Sequence, residues 1–184
     1  MRNGLTTEQD RKLPENKENL NKQKDNHGGG KFLTFFLGNE EYGLEILKVH
    51  EIIGIMPITP VPRTPSHIRG VINLRGKIIS IMELRQKFGM VSIEQTDESC
   101  IIVVQTNGIQ TGIIVDRVSE VLNILQENIE AAPDFGTGIN TDYILGMGKS
   151  DGRVKLLLDI DKVLSSQDIA GIKAFSESSA QGAE

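Results

Sequence analysis

The chain has no tryptophan, only two tyrosines and a single cysteine, and each scarcity closes a route to function. Cys100 alone can form neither an internal disulfide nor a thiolate metal cluster. Its setting in CIIVVQ is that of a buried strand residue, whereas reactive thiols need an accessible, cationic environment. The histidines are no richer. His27 lies in a polar N-terminal stretch, while His50 and His67 stand among apolar residues or in a proline-rich loop without metal-ligand spacing around them. No metal, no cofactor and no catalytic residue is expected. Residues 31–184 carry 14 Lys and Arg against 20 Asp and Glu, a net charge of −6. An acidic domain this poor in aromatics has neither the basic footprint nor the stacking platforms of a nucleic-acid binder. The same charge disfavours an anionic membrane surface. No apolar run reaches the length of a membrane span, and the N-terminus lacks the continuous apolar segment of a signal peptide, so a cytoplasmic location without membrane insertion is expected.

What is present is a chain that nearly repeats itself. Gly43, Val49 and Glu51 in GLEILKVHEII recur as Gly112, Val118 and Glu120 in GIIVDRVSEVL, a shift of 69 positions. Gly70 to Leu84 and Gly146 to Ile160 align with a shift of 76. This spacing is too long for a solenoid unit and implies two tandem or intertwined subdomains. Residues 1–30 hold four large apolar side chains (Met1, Leu5, Leu13 and Leu20) among many polar ones and end in three glycines. Burial there cannot offset the entropy of ordering, so a disordered polar tail is expected. A folded region over 31–172 and a frayed end over 173–184 complete the division.

From Lys31 onward the texture is short β-rich runs punctuated by turn signals. KFLTFFL and EEYGLEI flank Gly38-Asn39, VINL and KIISIM flank Arg75-Gly76, CIIVVQT and IQTGIIV flank Asn107-Gly108, and YILGMGK and RVKLLLD flank Asp151-Gly152. Ile46 to Ile53 fits one helical turn leading into a strand. Pro57, Pro60, Pro62 and Pro65 mark a connecting loop, because each removes a backbone donor. Glu83 to Phe88 reads as a short helix, RVSEVLNI as a strand and AAPDFGTGIN as a loop. Asp159 or Asp161 can cap a C-terminal helix running through Val163 and Ile169 toward Phe175. A mainly β fold of two small barrels, about five strands each, follows from the need to hide sheet edges.

Motifs for chemistry are few. Gly146-Met147-Gly148-Lys149-Ser150 resembles the end of a phosphate-binding loop, but Tyr143 stands where the motif needs glycine, and a hairpin follows where it needs a helix. A small nucleotide-binding barrel therefore stands only as the alternative from another class. Glu51 and Arg75 each interrupt an apolar stretch; either both are solvated at turns, or they pair and hold one edge of a cleft. Gly70 reads as an ordinary turn glycine with positive φ.

EEYGLEILKVHEII together with IRGVINLRGKIISIMELRQKFG resembles the CheW family of bacterial chemotaxis coupling proteins, and the likeness runs from Lys31 to about Leu164. The resemblance implies two intertwined five-stranded SH3-like β-barrels and a non-catalytic adaptor. Its implied partners are the cytoplasmic hairpin tip of methyl-accepting receptors and the regulatory domain of the chemotaxis histidine kinase, in arrays at the membrane. By resemblance the receptor groove takes in Ile46, Val49, Glu51, Ile52, Gly70, Ser99 and Val118, with Arg75 beside Glu51 on its polar rim. The kinase contacts fall on Gly76, Ile78, Pro133, Asp134 and Phe135. Glu130 departs from the basic residue commonly seen there. An adaptor of the same fold in a pilus-motility or other receptor–kinase pathway shares these motifs.

Overall fold

The computed structural model describes residues 29–133 and 141–164. Eleven strands run in the order β1 Gly30–Leu37, β2 Glu40–Glu45, β3 Val49–Gly54, β4 Ile68–Leu74, β5 Lys77–Glu83, β6 Cys100–Thr106, β7 Ile109–Val115, β8 Arg117–Ile124, β9 Ile129–Glu130, β10 Ile144–Ser150 and β11 Arg153–Leu158. Two short helices, α1 Leu84–Lys87 and α2 Ile160–Val163, follow β5 and β11. A single 3₁₀ turn, Ile46–Lys48, leads into β3 as the mixed periodicity anticipates. Asp159 is the helix cap, its carboxylate accepting from the Asp161 amide at 3.1 Å. The continuation toward Ile169 and Phe175, and residues 1–28, lie outside the described residues.

The strands form a six-stranded sheet, β8-β1-β2-β11-β10-β9, and a five-stranded sheet, β3-β6-β7-β5-β4. The first repeat supplies β1 to β5 and the second β6 to β11, so each repeat gives its leading hairpin to the other's sheet. The parallel pairings show the exchange. β5 of the first repeat lies beside β7 of the second, and β11 of the second beside β2 of the first. The extra strand of the larger sheet is the two-residue β9, which carries no β-rich run to announce it.

Glycines mark where the exchanged strands cross. A Cβ on Gly43 would stand 2.8 Å from Leu157 Cδ2, and one on the equivalent Gly112 would stand 2.6 Å from Ile81 Cδ1. Leu157 and Ile81 are themselves 76 residues apart, so the crossing is the same in both halves.

Both faces of β1, β6 and β7 are buried, which explains their near-continuous apolar runs. Leu33, Phe35, Leu37, Ile102, Val104, Ile113 and Val115 share a central cluster with Leu44, Met82, Leu84 and Leu158. Ile101, Val103 and Ile114 turn the other way, onto Ile72, Ile79 and Ile81. In the opposite sheet Phe32, Ile124 and Leu157 make the matching inner cluster. The two tyrosines are used inside this core. Phe35, Tyr42, Phe88 and Tyr143 stack in series with centroid separations of 5.8, 5.7 and 5.1 Å, each pair adding to its area burial. Beside the core, Lys155 on β11 meets Glu41 on β2 at 3.0 Å, with both side chains buried.

Candidate functional site

β3 and β8 are the equivalent outer strands of their sheets, and both leave apolar side chains uncovered. Val49 pairs with Val104 and Val118 with Phe35, so each is half-buried against the central cluster. Ile46, on the 3₁₀ turn, packs on the same cluster. One turn of the pleat further along, Ile52 is 44% exposed and its counterpart Val121 is 49% exposed. Two matching apolar strips result, one from each repeat. Val121 was beyond sequence reasoning, because its exposure depends on β8 being an edge; the shift of 69 from Ile52 was the available signal.

Glu51 and Arg75 form an ion pair rather than two solvated side chains. Arg75 Nη1 and Nη2 donate to Glu51 Oε1 and Oε2, both at 2.8 Å. The hydrogen bonds from Arg75 hold the Glu51 carboxyl below its usual range, and His50 Nε2 lies 4.0 Å from Oε1. Arg75 is aimed by a tight turn in which it and Gly76 both have positive φ, 53° and 85°, with the Gly76 amide donating to Asn73 Oδ1 at 2.8 Å. The pair joins β3 to the end of β4, the two edges of the five-stranded sheet. The other repeat places Glu120 and Asp151 at these positions, two like charges that cannot form the equivalent pair.

Gly70 belongs to strand β4 and not to a turn, at a bulge between Ile68 and Gly70. Its φ is +138°, and a Cβ there would fall on the Thr59 carbonyl, whose residue bridges to Val71. Backbone packing therefore requires glycine at this position. Ser99 is buried, its hydroxyl accepting from the Thr96 amide at 2.9 Å. It lines a cleft of about 380 Å³ with Arg69, Glu83, Arg85 and Asp116, before the start of β6, whereas Val49 pairs with Val104 toward the other end of that strand. On the β4–β5 hairpin Gly76 is exposed and Ile78 is 46% exposed. Pro133 is exposed as well, while Asp134 and Phe135 lie outside the described residues. Cys100 is half-buried at the start of β6, where burial pushes its thiol up in pKa against the opposing hydrogen bond from the Val118 backbone. Lys149 of the phosphate-loop lookalike sits in a strand and pairs with Glu130 at 2.5 Å. Among the described residues no cluster of His, Cys, Asp and Glu could hold a metal ion.

Two further ion pairs lie where the chain passes between sheets. Arg85 on α1 binds Asp116, Nε to Oδ1 at 2.8 Å and Nη2 to Oδ2 at 2.6 Å, and the Gly38 amide adds a third bond at 2.6 Å. Lys48 binds Asp161 of α2 at 2.6 Å. Burial alone would raise the Asp116 carboxyl, but the bonds from Arg85 and Gly38 outweigh it and hold the pKa below the ordinary carboxylate value. A depressed pKa stabilises the fold above the unfolded carboxylate pKa, and that contribution disappears as pH falls through the folded value. Asp116→Asn should therefore cost about 2 kcal/mol near neutrality. Its gap from the unsubstituted protein should begin to narrow below about pH 4 and close as pH falls through the lower folded value, read from urea midpoints across pH.

Paired barrels with exposed apolar edges, tied together by ion pairs, define a scaffold class of protein, one that works by docking. Residues 31–168 match the model of the CheW-like domain, and the chain belongs to that family. It is 44% identical over 142 residues to the chemotaxis protein CheW of Klebsiella aerogenes, covering 77% of this chain and 86% of that one. CheW of Helicobacter pylori is 34% identical over 143 residues, with 78% and 86% covered. The crystal structure of the scaffolding protein TtCheW from Thermoanaerobacter tengcongensis superposes with a TM-score of 0.69 at 36% identity, covering 76% of this chain and 95% of that one. The protein is thus a non-catalytic chemotaxis coupling adaptor with partners in chemotaxis signalling. Among the described residues no helix is long and apolar enough to cross a membrane.

Proposed function

We propose that this adaptor couples methyl-accepting chemotaxis receptors to the regulatory domain of the chemotaxis histidine kinase. The receptor's helical hairpin tip docks between the β3 and β8 strips, with Val49, Ile52, Ile46 and Val118 supplying apolar burial and the Glu51–Arg75 pair the polar rim. The observation that carries the reading is the pair of equivalent, uncovered apolar strips, one per repeat. Gly70 and Ser99 act behind this surface, through the backbone of β4 and the approach to β6. The kinase domain docks on the β4–β5 hairpin at Gly76 and Ile78, and on the segment Pro133, Asp134 and Phe135. Cytoplasmic residence and recruitment to membrane receptor arrays follow from these partners.

Titration with a receptor cytoplasmic-tip fragment and, separately, with the kinase regulatory domain tests the reading. Val49→Asp places a charge in a desolvated contact and should lower tip affinity by about tenfold or more, with kinase-domain affinity unchanged. Full tip affinity in that variant would remove β3 from the docking surface. Binding of the unsubstituted protein to neither partner would remove the pairing itself.

A further inference from the structure

The repeats carry an ion pair between helix and junction in each half, with the polarity reversed and the junction residue offset by one position. Arg85 and Asp161 are 76 residues apart and sit in the equivalent helices α1 and α2. Asp116 and Lys48 sit at the equivalent junctions, where the chain leaves β7 for β8 and β2 for β3. Each bond crosses between repeats: Arg85 of the first binds Asp116 of the second, and Asp161 of the second binds Lys48 of the first. Each also lies at the root of an apolar strip. Lys48 directly precedes Val49, and Asp116 comes two residues before Val118.

Reversal has a consequence for pairing. If each helix returned to its own repeat's junction, the shift of 69 would put Leu47 in the place of Asp116 and Arg117 in that of Lys48, so Arg85 would lose its carboxylate. The observed crossing makes both contacts attractive. Asp161 depends on Lys48 closely, because its Oδ1 is buried without a hydrogen-bond partner while Oδ2 takes the Lys48 ammonium. We propose that Lys48–Asp161 and Arg85–Asp116 are positioning pairs that set the separation of the two walls of the partner groove, each wall being fastened to the other repeat's helix. The identity of the walls rests on the docking surface described above. Neither Lys48 nor Arg85 touches the partner; they act through Val49 and Val118.

The test uses the full chain with Cys100→Ser and nitroxide labels at Ile52→Cys and Val121→Cys, so that a spin–spin distance distribution reports wall separation. Tip-fragment and kinase-domain affinities are measured on unlabelled protein. Lys48 and Asp161 are each 35% exposed, so Lys48→Met should fold, as the circular dichroism of its strands will show. Lys48→Met is expected to broaden the distribution and weaken the tip by about tenfold, with kinase-domain affinity within about twofold. The swap Lys48→Asp with Asp161→Lys should restore both the narrow distribution and the tip affinity, a rescue that a direct contact by Lys48 does not permit. An unchanged distribution in Lys48→Met, or a swap that fails to rescue it, overturns the proposal. A broadened distribution in a protein whose unsubstituted form ignores the tip supports the positioning and overturns the groove instead.

Discussion

Glu41→Ala should cost about 3 to 5 kcal/mol, because it leaves the Lys155 ammonium buried with no carboxylate against it. Lys155 and Glu41 are only 3% and 8% exposed, so water cannot replace the missing partner. The expected readout is a fall in urea midpoint at unchanged slope. The other repeat shows what replaces the pair, since Ile79 and Gln110 occupy the equivalent positions on β5 and β7. Glu41→Gln combined with Lys155→Ile copies that solution, and its stability should stay within about 1 to 2 kcal/mol of the unsubstituted protein. A single variant as mild as the double would mean that Lys155 finds solvent. The pair also discriminates between topologies. Were β2 to lie beside β5 of its own repeat, Glu41 would meet Ile79 and Lys155 would meet Gln110, leaving both charges buried without a counter-ion.

Gly70→Ala should be nearly as damaging, at roughly 2 to 4 kcal/mol, because the new Cβ collides with backbone and the φ of +138° is open essentially to glycine alone. The Thr59 carbonyl accepts from the Val71 amide at 2.9 Å, so it cannot move aside without breaking the bridge that holds the proline-rich loop. Partner binding by Gly70→Ala should recover when a stabilising osmolyte restores the fold. Persistent loss of receptor binding in fully folded protein would instead place Gly70 at the contact.

These two effects show how unevenly the molecule could be read from its residues. Turn chemistry was legible at Arg75-Gly76, Asn107-Gly108 and Asp151-Gly152, because positive φ at such pairs is a local demand. The single helical turn before β3 was legible for the same reason. Glu51 and Arg75 stood out as charges within apolar stretches, but which would meet which depended on two sheet edges closing on each other. Asp116 interrupts GIIVDRV in the same way as Glu51 interrupts its strand, and that signal could have found the Arg85 pair. Lys155 gave no such signal, since RVKLLLD alternates as an exposed lysine would. Ser99 fell into the groove by resemblance alone, and its hydroxyl is engaged in its own turn at Thr96.

The residues by themselves determined a doubled, mainly β chain with hairpins at fixed places, an acidic surface and no disulfide. Each of these follows from composition or from contacts close in sequence. Only the tertiary structure decided that the leading hairpins are exchanged between the barrels. Two similar repeats offer two similar pairings, and local preference is the same for both. The choice falls to contacts between residues more than 100 positions apart, Lys155 with Glu41 and Asp161 with Lys48, joined by Arg85 with Asp116. Their charges are satisfied in the exchanged arrangement, whereas in the other Lys155, Glu41 and Arg85 would lose their partners.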